Sequence, residues 1–112
     1  MNANSQNWKP ITEAQILDDL NSCDDALSPS EKKLFGAAKI GPEKWALHPW
    51  GDEGGGFWVV ALIGRNVLWF NDIEHGYNLS RYSEYGRIDE YWCNQESLSD
   101  AIRRMASVTS VE

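Results

Sequence analysis

The densest group of side chains able to do chemistry is the run Asn71-Asp72-Ile73-Glu74-His75-Gly76-Tyr77-Asn78. Two carboxylates and an imidazole this close together are the donor types that hold a divalent ion or move a proton. A solvated hairpin turn asks for the same composition, because Asp, Asn and Gly tolerate turn conformations. The spacing favours the turn. It lacks the calcium-loop pattern, and no second histidine stands four residues from His75. No metal is therefore expected at Asp72, Glu74 and His75, and no cofactor fingerprint occurs elsewhere. His48 is a second candidate base, flanked by Trp45 and Trp50, but no serine or cysteine sits in a nucleophile-elbow pattern. Cys93 precedes Asn94, the expected cap of a closing helix, and a helix N-terminus can activate a thiol. A half-buried structural thiol is the simpler reading.

Aromatic residues offer binding rather than catalysis. Trp45, Trp50, Phe57 and Trp58 are able to stack on a sugar ring or anchor a protein partner, since aromatics are enriched at interaction hot spots. They are equally able to seal a core. Asp52, Glu53, Asp72 and Glu74 would surround the tryptophans with negative charge, an apolar anchor inside an acidic rim. The candidate binding set is thus Trp45, His48, Trp50, Asp52, Glu53, Trp58, Asp72, Glu74 and His75. Tyr77, Tyr82, Tyr85 and Tyr91 share the ambiguity between cross-strand pairing and exposure.

These residues must be positioned by a sheet. Nine of the 13 aromatic residues fall between Phe57 and Trp92, and strand-forming runs there alternate with turn signals. Strands are expected over 57–63, 67–72, 77–83 and 87–92, with turns near 64–66, 73–76 and 84–86. Gly76 suits a positive φ at the second turn. The first strand is apolar at nearly every position, which indicates burial on both faces. Two helices precede the sheet. Thr12 and Gln15 form a capping box for a helix over 13–22. Ser28, Pro29 and Glu31 start a second, with Leu34, Phe35 and Ala38 on its buried face and Gly41-Pro42 as its stop. A Trp-rich connection over 41–56 follows, with a single helical turn expected at 42–47. Its three consecutive glycines imply mobility or close backbone approach. After Asn94, a last helix carries Leu98, Ala101, Ile102 and Met105 on one face. The expected order is ααββββα, an α+β domain: a four-stranded antiparallel meander with an N-terminal helical hairpin and a C-terminal helix packed on it. Val60, Leu62, Leu68, Phe70, Ile88, Ile16, Leu20, Leu34, Ile102 and Met105 are the expected core.

The chain has 112 residues and a net charge of −7. This is one domain over 1–112, with 1–9 and 107–112 expected to be loose. The acidic balance argues against nucleic acid and anionic membranes, which require basic patches. It is compatible with a basic protein partner. Cys23 and Cys93 form no metal-binding pattern. There is no secretory or membrane-spanning pattern, so a cytoplasmic protein with reduced thiols is expected.

The stretch GGGFWVVALIG…VLWFNDIEHGYNLSRY…YG.IDEYWCNQ resembles short, acidic, uncharacterised bacterial proteins that carry the same sheet block and closing helix. In layout alone, the chain is similar to SMI1/KNR4-type immunity domains, which pair an antiparallel sheet with flanking helices. It departs from them in its longer helical hairpin and Trp-rich connection. That resemblance implies an antidote role and transfers no site residues. Together these features lead to a non-enzymatic protein-binding domain, in its sharpest form an immunity-type inhibitor of a basic toxin. A small-ligand or carbohydrate binder using the 45–58 connection is the alternative, and a small enzyme using His48, Asp72, Glu74 or His75 the third reading.

Overall fold

The computed structural model describes residues 9–110. The elements run α1 (Glu13–Ser22), a 3-10 turn (Asp24–Ala26), α2 (Pro29–Ala38), β1 (Lys39–Trp45), β2 (Phe57–Ile63), β3 (Asn66–Asn71), β4 (Gly76–Arg81) and α3 (Leu98–Ser110). The sheet is a four-stranded antiparallel meander in the order β1-β2-β3-β4, and the class is α+β. The expected looseness of 1–8 and 111–112 lies outside the described residues. α3 runs past the expected end at Ser107 to Ser110.

Both N-terminal helices start where their capping boxes stand. The Thr12 side chain accepts from the Gln15 N–H and Gln15 returns a bond to the Thr12 N–H, and Ser28 and Glu31 do the same for α2. Each box satisfies two of the N–H groups a helix start leaves unpaired. The two helices find their main packing partners elsewhere than in each other. α2 rests on α3 and β2, and α1 on β1 and the 3-10 turn. The cap of α3 is Ser97, whose Oγ accepts from the Asp100 N–H at 3.2 Å. The expected cap, Asn94, is held instead by Asn78, whose side chain bonds both the N–H and the C=O of Asn94.

Two cores lie on opposite faces of the sheet. Ile16, Phe35, Val60, Leu68, Phe70, Ile102 and Met105 fill the space under the helices. Trp45, Leu47, Phe57, Val59, Val67, Trp69 and Ile88 form the second core, and the covering layer there is loop, over 46–56 and 82–92. Burial on both faces of β2 is therefore correct. A bulge makes it possible: Val59 pairs with Trp69, but Ala61 pairs with Leu68. Val60 and Ala61 both face the helices, and Leu62 returns to the loop side. Of the expected core, Leu62, Leu20 and Leu34 are half-buried and the other seven are buried.

The strand inventory differs from expectation at both ends. Residues 42–47 form no helical turn. Lys39–Trp45 is a strand, with irregular register between Lys39 and Glu43 where Gly41-Pro42 intervenes. At the other end, 87–92 is no ladder strand. It follows the outer edge of β4 but is fastened largely by side chains. Ser80 Oγ donates to the Glu90 carbonyl at 2.7 Å, Glu90 Oε1 accepts from the Arg81 N–H at 2.8 Å, and Asn78 grips Asn94. Side-chain bonds fill the places a backbone ladder would occupy, so the edge is covered without a regular strand.

Glycines explain the close fits. The positive φ at the β3–β4 turn belongs to His75, at 58°, and not to Gly76 as expected. Gly76 is required by proximity: a Cβ there would stand 2.2 Å from the Asn94 carbonyl oxygen and 2.3 Å from the Gln95 Cα. Gly56, at φ 106°, similarly lies under the Trp45 carbonyl, 2.5 Å from where its Cβ would be. Of the three consecutive glycines, Gly56 serves close backbone approach, while Gly55 takes a φ of 74° in open space.

Candidate functional site

The expected binding residues divide into three groups. The first is structural. Trp45 is 1% exposed. Its ring packs against Tyr82 and Tyr85, and its Nε1–H donates to Glu43 at 2.9 Å. The Tyr85 hydroxyl donates to the same carboxylate, and these two bonds, Tyr85's first, hold Glu43 below the usual carboxylate range. Trp58 is half-buried, and its Nε1–H donates to the Ile11 carbonyl at 2.9 Å. Buried Asp72 accepts from the Ile11 N–H at 2.8 Å. Trp58 and Asp72 therefore clamp the backbone of one residue at the entrance to α1. Burial pushes the Asp72 carboxyl up, against the Ile11 bond that lowers it.

The second group surrounds the β3–β4 turn. Exposed His75 and Asp72 line a groove with Asp18, Asp19 and Phe70. Glu74 uses its backbone, accepting from Gln95 Nε2 and donating to Asn71 Oδ1. Tyr77 nearby donates to Asp19 at 2.9 Å, and burial, then the Asp19 charge, drives its hydroxyl far above the usual range. Among the described residues no group of three His, Cys, Asp or Glu is placed to hold a metal ion. Cys23 is buried, its Sγ–H donating to the Leu20 carbonyl at 3.5 Å, and Cys93 is exposed; the two are not joined in a disulfide.

The third group is the candidate site. Leu47, His48, Trp50, Arg87, Asp89 and Tyr91 line a groove of about 560 Å³ on the loop-covered side of the sheet, with Ser83 and Ile88. Trp50 stacks on Tyr91, with centroids 4.4 Å apart and planes at 15°, yet remains 47% exposed. One face of the indole is covered by tyrosine, and nearly half of the residue's surface reaches solvent. Asp52 accepts from or pairs with His48 Nδ1 at 2.6 Å, and Glu53 is exposed on the same loop.

Tyr91 is a rigid support. It contacts Phe57 and Trp69 from below, and its hydroxyl accepts from Asn71 Nδ2 at 3.0 Å. Asn71 is fully buried. Its Nδ2 also donates to the Trp92 carbonyl at 2.9 Å, and its Oδ1 accepts from Ile73 and Glu74 N–H groups at 3.0 and 3.2 Å. Both donors and both acceptor positions of the amide are used. Sequence reasoning missed Tyr91, Asn71, Arg87 and Asp89 as parts of this site. Tyr91 carried a signal as one of four ambiguous tyrosines. Asn71 looked like a turn residue, and nothing in Arg87-Ile88-Asp89 marked it as facing Trp50.

The groove at Trp50 and the groove at His75 share no lining residue. The acidic turn is therefore not the rim of the Trp50 surface. Asp89 lines the Trp50 groove, and exposed Asp52 and Glu84 join it through their pairs with His48 and Arg87. Among the described residues no helix is long and apolar enough to cross a membrane. Comparison of the chain with protein-family models, with curated proteins and with solved structures found no match.

Proposed function

We propose that this protein is a non-enzymatic binding domain that takes a basic protein partner on the loop-covered side of its sheet, at the Trp50–Tyr91 groove. The observation that carries this reading is an exposed tryptophan held flat on a half-buried tyrosine. An exposed ring alone is ordinary, and Trp92 and Tyr85 are exposed as well, but a tryptophan ordered by stacking within a groove is the kind of aromatic that anchors interfaces. Acidic residues around the ring and a net charge of −7 favour a basic partner and a fast encounter. In its sharper form the domain is an intracellular inhibitor of a basic toxin. The enzyme reading is disfavoured because His48 lies in one groove while Asp72 and His75 line another.

A photo-crosslinking amino acid at exposed Glu53 tests the proposal in the source cell. The expected product is a covalent adduct with one basic protein that also binds the purified domain. Trp50→Ala with Asp52→Asn should weaken that pair about tenfold or more, with a melting temperature within a few degrees of wild type. Iodide should quench part of the tryptophan fluorescence. An unchanged affinity in the double mutant would place the interface elsewhere. The exposed ring also favours a second reading, a carbohydrate stacked on Trp50, and saturable binding of a neutral sugar with no protein adduct would establish that reading instead.

A further inference from the structure

We infer that the Trp50–Tyr91 groove is a receptor for an arginine side chain of the partner, its guanidinium laid on the face of the Trp50 indole away from Tyr91 and paired with Asp89. This rests on the protein-binding reading above and names the group that the groove selects.

The charges in the groove lead to Asp89. Arg87 is neutralised by Glu84 at 3.1 Å, and His48 is paired with Asp52 at 2.6 Å. Asp89 uses its backbone N–H on the Arg81 carbonyl at 3.0 Å, while its carboxylate has no partner among the described residues. The groove therefore presents, among its lining residues, a carboxylate with no partner among the described residues and a tryptophan ring that is nearly half exposed. A cation over the face of tryptophan is attracted by the ring quadrupole. Arginine fits better than lysine. Its planar, weakly hydrated guanidinium can lie parallel to the ring while its N–H fork reaches a carboxylate, whereas ammonium is a strongly hydrated point charge. The support is built before binding, since Tyr91 is fixed below the ring by Phe57, Trp69 and Asn71. A pre-ordered platform loses little entropy on binding.

A neutral sugar would also stack on Trp50, but it would leave Asp89 without a counter-charge. This difference sets the test. The full chain with 15N-labelled indoles is titrated with three probes: the capped tripeptides Gly-Arg-Gly and Gly-Lys-Gly, and a methyl glucoside. The Trp50 Nε1–H signal should move and saturate with the arginine peptide. The lysine peptide should bind about threefold or more weakly, and raised salt should weaken both. Asp89→Asn should reduce arginine affinity about two- to fivefold while leaving the melting temperature unchanged, and Trp50→Leu should abolish the response. Equal binding of the two peptides, insensitivity to Asp89→Asn, no movement at about 100 mM peptide, or a response to the glucoside alone would each overturn the inference. A crosslinked partner that still depends on Trp50 while the arginine peptide fails would sink this inference and leave the protein-binding reading standing. Loss of both would end both.

Discussion

Replacing Asn71 with alanine should cost stability and loosen the groove together, although Asn71 lines no part of it. The side chain makes four hydrogen bonds, two to turn N–H groups and two to Tyr91 and the Trp92 carbonyl. A typical bond contributes about 0.5–1.5 kcal/mol net, which bounds the total at about 2–6 kcal/mol. Ile73 is exposed and Glu74 half-buried, so water can replace part of what the turn loses. On the other side Tyr91 is half-buried and Trp92 exposed, so water recovers a similar part there. The expected loss is about 3 kcal/mol, or a fall of about 12–24 °C in melting temperature for a domain of this size. Urea melts of wild type, Asn71→Ala, Tyr91→Phe and the double mutant measure it. A real tether gives a coupling of at least about 0.5 kcal/mol between the two positions, because the second change removes a bond already lost. Enhanced iodide quenching of Trp50 in Asn71→Ala would show the tyrosine support released. A loss below about 1 kcal/mol with no coupling would refute the reasoning and reduce Asn71 to an ordinary turn residue.

Three further outcomes are expected. Gly76→Ala should destabilise the fold by about 2 kcal/mol or more, because its methyl would collide with the backbone of Asn94 and Gln95 and neither backbone can yield without breaking the Asn78 clamp; hydrogen exchange at Tyr77 and Asn94 should report the opened edge. Ile102→Ala removes a fully buried side chain and should cost about 2–5 kcal/mol in a denaturant melt, whereas under about 1 kcal/mol would mean that α3 is peripheral. The raised carboxyl of Asp72 should make stability fall as pH rises from its ordinary 3.8 through its folded value, because the folded chain keeps a proton the unfolded chain has released. Asp72→Asn should remove that slope. Lowered Glu43 works in the opposite sense, losing its contribution as pH falls, so the two are separated by repeating the series in Glu43→Gln.

Local chemistry alone determined much of this protein. Both capping boxes, α1 over Glu13–Ser22 and β2 over Phe57–Ile63 are legible in the sequence because each depends on neighbours within a few residues. The α+β class and the meander follow from short turns between β-rich runs. The tertiary structure decided the ends of the sheet. Lys39–Trp45 carries Gly41 and Pro42 and reads poorly as a strand; it becomes one because β2 supplies a partner and a bulge absorbs the misfit. Residues 87–92 read well as a strand but meet a β4 edge whose partners come largely from Ser80, Asn78 and Glu90 side chains. The site is the clearest case. Trp45 and Trp50 are neighbours of similar promise in the chain, yet one is sealed under Tyr82 and Tyr85 and the other lies open on Tyr91. Which ring is buried depends on how two loops distant in sequence cross the same face of the sheet, and no local pattern encodes that crossing.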